Sequence, residues 1–257
     1  MTAQENQTAA ISFFRLDGFK NRKWAMQQMV EGHRKIKNSR GLMFYKFLGT
    51  GGGKGYSLMP DWGTYAILTV WESEAYASAF KNSPLFLEYS AHSYEYLTIY
   101  LQPVSSRGSW SGFSDWRTTG HKSELPFVAA LTRATIKFSY LAKFWSMVPQ
   151  ISREHQNAEG IIFSKGIGEY PFIEQATFTV WESIGSMNNF ARRNTHQSAI
   201  QVTREKKGFR EEMFTRFQPV RFEGNWSNFP YQRLNNYSNG DFSAGDFSAG
   251  DSKSPAE

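Results

Sequence analysis

The sequence predicts an α+β fold made of two tandem β-α-β-β-α-β units that close on each other. Three observations carry this. The pentapeptide TVWES occurs twice, at Thr69–Ser73 and at Thr179–Ser183. The likeness runs on in both directions. YLQPV ending at Val104 sits against RFQPV ending at Val220, GSWSG (Gly108–Gly112) against GNWSN (Gly224–Asn228), and AISFFRLDGF against VAALTRATIKF, which sets Arg15 beside Arg133. Third, both copies alternate short β-branched or aromatic runs with longer stretches of helical spacing, in one order. A repeat of roughly a hundred residues is too long for a solenoid.

The elements follow in order. The first copy gives strands near Ile11–Leu16, Leu42–Leu48, Tyr65–Trp71 and Tyr96–Val104, with helices near Arg22–Lys37 and Glu74–Tyr89. In the second copy Phe127–Ile136 is apolar and β-branched, a strand. Ser139–Ile151 sets Leu141, Phe144, Trp145 and Val148 at helical spacing. Gly160–Gly166 and Ile173–Trp181 are strands. Ser183 caps a helix running toward Lys207 and stopped by Gly208, and Glu212–Phe222 is the last strand. Each unit is ferredoxin-like. One such unit leaves a sheet face bare. Two cover each other by closing sheet against sheet, which also removes edge strands, so a pseudo-dimeric α+β barrel is expected. The first unit spans residues 10–112 and the second 127–228. Within the Ser-, Gly- and Arg-rich stretch Ser105–Pro126, residues 113–126 form the linker. The segment 234–257 repeats DFSAG, is small and polar, and is expected to be disordered.

Composition bounds the function. Of 257 residues 40% are apolar and 16% aromatic, and eight Trp and twenty-two Phe suffice for a large core. Without cysteine there is neither a disulfide framework nor a thiolate metal site. No secretory signal and no membrane-length apolar run is visible, so a cytoplasmic location is the expectation. From Leu234 on, Asp241, Asp246, Asp251 and Glu257 stand against Lys253, a net of −3, and the +6 of the chain therefore leaves +9 on the remainder. A basic folded part suits nucleic acid, an anionic membrane face or an acidic cofactor. It is equally the mark of a solvated basic surface.

GTGGGKGYS at Gly49–Ser57 is not a phosphate loop. Gly49 to Lys54 is one residue short, Gly55 stands where a hydroxyl is needed, and the stretch lies between two strands. It reads as a Gly-rich hairpin. The histidines, His33, His92, His121, His155 and His196, show no metal-site spacing. His196, in RRNTHQSAIQV, is the one worth argument. Thr195 caps a fresh helical segment, Ala199 and Ile200 share the face of His196, and a helix N-terminus keeps its ring neutral, the form that binds metal. A lone histidine on an apolar face also serves as a hydrogen-bonded core residue, and both readings stay open. A haem can be held by one protein ligand. Arg192, Arg193 and Arg204 then suit its propionates, or else form a solvated helix face.

Several stretches, AALTRATI (Ala129–Ile136), GIGEYP (Gly166–Pro171), QATFTVW (Gln175–Trp181), FARRNTHQSAI (Phe190–Ile200), FREEMFTRF (Phe209–Phe217) and, in the first half, FYKFLGTGGGKGY and YAILTVW, resemble the spheroidene monooxygenase family. The resemblance covers about Ile11 to Trp226. It implies a dimeric α+β barrel and a haem-dependent oxygenase acting at C-2 of acyclic carotenoids, giving hydroxyl and then keto products. It also implies haem b with His196 as the iron ligand. Partners would be a carotenoid, dioxygen and an electron donor such as a ferredoxin, with peripheral contact to the anionic inner face of a membrane rather than to nucleic acid, and with room for a homo-oligomer.

Arg133 is then the expected oxygen-polarising donor, sharing a strand face with Leu131 and Thr135. The same arginine also fits a barrel-rim ion pair with a glutamate. Gln175 and Thr177 are expected in the distal wall. Counted from Trp71 and Trp181, His196 aligns with Phe86, so one haem per chain is expected, in the second half. A non-catalytic haem or apolar-ligand carrier, and a cofactor-free monooxygenase, are the alternatives on the same barrel.

Overall fold

Among the described residues the named strands and helices follow the hydrophobic pattern of the chain. They are β1 (Thr8–Arg15), α1 (Gly18–Ile36), β2 (Leu42–Gly51), β3 (Pro60–Trp71), α2 (Glu74–Ala79), α3 (Pro84–His92), β4 (Glu95–Gly108), β5 (Val128–Ile136), α4 (Leu141–Gln156), β6 (Ile161–Gly168), β7 (Glu174–Trp181), α5 (Ile184–Ala191), β8 (Phe209–Gly224) and α6 (Tyr231–Ser238). The computed structural model describes residues 6–52, 59–120, 126–170, 172–192 and 201–238, of which 201–205 are also helical. Helix starts follow capping chemistry: Asp17 accepts from Gly18 N, Ser83 from Phe86 N with Pro84 behind it, and Ser183 from Ser186 N.

The strands close into one antiparallel barrel in the order β1-β3-β2-β6-β7-β5-β8-β4. This is the closed α+β barrel that the sequence predicts. Ala9, Ile11, Phe13, Leu68, Leu131 and Phe178 fill its middle. The alternate residues of each strand face outward under the helices. In the first half that outer layer is densely aromatic, with Phe14, Phe47, Trp71, Phe86 and Tyr89 buried together.

Two seams join the halves. β4 and β8 pair all the way from Leu97↔Gly224 to Gly108↔Met213. Among the described residues, β2 and β6 pair only at Gly49↔Gly168 and Thr50↔Ile167.

Strand register corrects one sequence pairing. Thr8 lies opposite Trp71 and Val128 opposite Trp181, so the counterpart of Arg133 is Phe13, not Arg15. Matching arginine to arginine slips the strands by two residues, which keeps the same strand face, so the side-chain pattern alone does not reveal it. The expected start of the tail also moves. Leu234 is buried in the core, and Asn235 holds α6 to β8 by accepting from Phe222 N at 3.1 Å and donating to Phe222 O at 3.0 Å. Residues 239–257 lie outside the described residues. Among the described residues no helix is long and apolar enough to cross a membrane.

Candidate functional site

Period-two alternation along β5 turns Ala129, Leu131, Arg133 and Thr135 into the barrel and leaves Thr132 exposed. Arg133 is 2% exposed. A buried guanidinium needs anions, and it has two. Its Nη2 donates to Glu174 at 2.8 Å, its Nη1 to Glu211, and the group lies over the Trp110 ring. Lys46–Glu169 at 2.8 Å and Lys165–Asp61 at 3.3 Å extend the cluster. The connector after β4 closes this end: Ser109 Oγ and the backbone N–H groups of Ser111 and Gly112 donate to Glu211, and Trp110 Nε1 donates to Glu169.

The two carboxylates on Arg133 titrate in opposite directions. Burial pushes Glu174 above the ordinary carboxylate value. The negative Glu169 adds to this, and Arg133 and Lys46 only partly oppose it. Burial also acts upward on Glu211, but hydrogen bonds from Gly112, Ser109 and Ser111, with the charge of Arg133, outweigh it and hold that carboxyl low.

The outer face of the sheet differs between the halves. In the first, Phe14 pairs with Tyr65 and Ser12 with Ile67, and Phe14, Tyr65 and Ile67 belong to one buried cluster with Phe86, whose ring lies 5.4 Å from that of Phe14. At the same register positions the second half has Ala134 beside Gln175 and Thr132 beside Thr177. The large side chains are gone. Two cavities lie here. One, of about 630 Å³, is lined by Ala134, Ala191, Gln201, Arg204, Phe209 and Phe214 among others. The other, of about 270 Å³, lies at the β2–β6 seam between α1 and α4 and takes in Gln175.

The expected site residues therefore separate. Gln175 and Thr177 share the outer face, whereas Arg133 points into the barrel, because its register partner is Ala176 and the residues flanking Ala176 face the other way. Arg133 accordingly meets the rim-type expectation of glutamate pairing. Arg204 donates to Glu212 through Nε and Nη2 at 3.2 and 3.1 Å, and Arg192 is exposed at the end of α5. His196 and Arg193 lie outside the described residues, but Ala191 and Gln201, on either side of that segment, both line the larger cavity.

Sequence reading missed Arg107, which lines this cavity, lies over Phe214 and has no carboxylate partner among the described residues. Only the pairing of β4 with β8 brings it here, and no local motif signals that. The other described histidines are engaged: His33 with Tyr45, His92 with Asn21 and Trp24, and His155 with Ser164 at 2.7 Å. Among the described residues no cluster of acidic and histidine side chains could hold a metal.

Barrel and outer face together define a class, a closed α+β barrel with a ligand-sized space between the sheet of its second half and the helices there. Two solved aldoxime dehydratases, one in complex with butyraldoxime, share the fold at TM-scores of 0.57 and 0.58. Each covers 85% of this chain, which covers 81% and 83% of theirs, at 9% identity. No family model matches the chain. Its sequence is 37% identical over 222 residues to spheroidene monooxygenase from Rhodobacter capsulatus, spanning 85% of this chain and 92% of that protein. The spheroidene monooxygenase of Cereibacter sphaeroides is 34% identical across 86% of this chain and 69% of its own length, and that of Rubrivivax gelatinosus 36% across 82% and 81%. The chain belongs to the spheroidene monooxygenase family.

Proposed function

We propose that the chain is a haem-dependent monooxygenase of acyclic carotenoids, placing a hydroxyl and then a keto group at C-2 of the polyene end. Family membership supports the oxygenase and its substrate class. The observation that carries the cofactor is the stripped outer face: Phe14, Tyr65 and Ile67 of the first half give way to Ala134, Gln175 and Thr177, and Ala134 lines a cavity of the size that holds cofactors. Its walls fit a haem. Ala134, Phe209 and Phe214 are apolar, and Arg107 is a cation without a carboxylate partner among the described residues; the lining also holds Glu212, paired with Arg204, and Glu205, which accepts from Gln201.

His196 would hold the iron, and Arg107 and Arg192, with Arg193, would meet the propionates. Arg204 is already neutralised by Glu212. The haem supplies dioxygen activation, with electrons from an external donor such as a ferredoxin. Of the polar side chains on this face of the sheet, Thr132 lines the larger cavity, Thr177 is its register partner, and Gln175 lines the smaller cavity at the seam; these are the groups that would hydrogen-bond an oxygen-bearing group. Arg133, whose guanidinium is held by two glutamates, would steady the barrel wall, and the residue also borders the larger cavity, which keeps it a candidate oxygen-polarising donor.

The test is the absorption spectrum of protein made with ample haem, followed by product analysis with spheroidene or lycopene and a reductant. A haem spectrum with oxygenated product is expected. Product without haem would select the cofactor-free alternative, and haem without product the carrier.

A further inference from the structure

Exposed apolar side chains gather at the rim of the seam cavity, while the carboxylates that line it are paired, Asp61 with Lys165, Glu169 with Lys46 and Glu174 with Arg133. α1 buries Ala25, Gln28, Gly32 and Ile36 on one side. On the opposite side Phe19 and Val30, 83% and 76% exposed, make with Met26 a second apolar stripe, at i, i+7 and i+11. Met26 also lines the seam cavity, whose mouth is ringed by Trp62, Tyr170 and Phe172, all exposed. Trp145 of α4 closes the ring by donating from Nε1 to Phe172 O at 3.1 Å. Phe138, 86% exposed, precedes α4. Exposed apolar side chains that gather in one place mark a binding surface.

Charge selects the occupant. Lys20 and Lys23 stand on α1 beside the stripe, and Lys137 and Lys143 flank Phe138 and Trp145. None of the four has a carboxylate partner among the described residues. Apolar and aromatic side chains interleaved with unpaired lysines match the headgroup boundary of an anionic bilayer, where lysine stems reach the phosphates while the rings enter the acyl layer.

We infer that this face, from the outer stripe of α1 to the aromatic rim of the seam cavity, docks on an anionic lipid bilayer, with the cavity mouth turned toward the lipid. The inference stands on the surface itself and does not depend on the cofactor.

The experiment is co-sedimentation of the full chain with vesicles of phosphatidylglycerol and phosphatidylcholine in equal parts, and with phosphatidylcholine alone. Wild type should bind the anionic vesicles. The pairs Phe19→Ser with Val30→Ser, and Trp62→Ser with Phe172→Ser, should each weaken binding by about tenfold or more, in line with the apolar area withdrawn from lipid. Ile184→Ser, at an exposed apolar residue of α5, should leave it unchanged. Circular dichroism checks that each variant is folded. Binding by both pairs equal to wild type overturns the inference. So does an ultracentrifuge result in which wild type is a dimer and the pairs are monomers, which would assign the face to a second copy of the chain.

Discussion

The guanidinium of Arg133 donates to the carboxylate of Glu174 at 2.8 Å from inside the barrel, between adjacent strands β5 and β7. With Glu211 on its other nitrogen, Arg133 bears one positive charge against two negative ones. Arg133→Met therefore leaves two carboxylates facing each other in a poorly solvated space. We expect a loss of about 3–5 kcal/mol in urea unfolding. Adding Glu174→Gln should restore part of it, and a double variant no more stable than Arg133→Met would argue against the pairing.

The pH dependence of the two glutamates has opposite signs. Glu211 titrates below the ordinary 4.5 in the folded chain, so its contribution is complete above that value and is lost as pH falls through its lowered one. Glu174 titrates above 4.5, so it costs stability as pH rises through that range. Melting temperatures from pH 3 to 7 should show Glu211→Gln falling behind wild type as pH rises toward about 4.5 and the gap then holding, and Glu174→Gln gaining on wild type as pH rises past about 4.5.

If the proposed haem site is right, His196→Ala should reduce haem retention at least about tenfold, through loss of the proposed iron ligand. Ala134→Phe restores the side chain that fills this register position in the first half, and should exclude haem while the protein stays folded. Bound haem quantified per chain should give one in wild type. Two per chain, or an Ala134→Phe variant that loads normally, would contradict the placement.

Leu234→Ala should cost about 2–4 kcal/mol, since it opens a hole where α6 meets the barrel. Ending the chain before Tyr231 should cost more, because the clasp of Asn235 on Phe222 goes with it. Thermal unfolding of both variants checks this.

The barrel was legible because strand periodicity and the doubled TVWES both report local chemistry. Ser183 as a cap was legible for the same reason. The partners of Arg133 were not, since Glu174 and Glu211 lie 41 and 78 residues away and meet it only through register. Alternation along β5 gave its face correctly, with Leu131 and Thr135. The same rule applied to β7 separates Gln175 and Thr177 from that face only once the register partner, Ala176, is known. The boundary at Leu234 was misplaced because YQRLNN is polar in composition, and its one deeply buried leucine gives no periodic signal.

The ring of strands is fastened unequally, by a long zip at β4–β8 and a short clasp at β2–β6. Mechanical load on such a ring falls on the clasp, where the fewest hydrogen bonds share it. Amide protons of Thr50 and Ile167 should therefore exchange with solvent well before those of Ile99 and Leu101, and the barrel should part along this line before it unravels anywhere else.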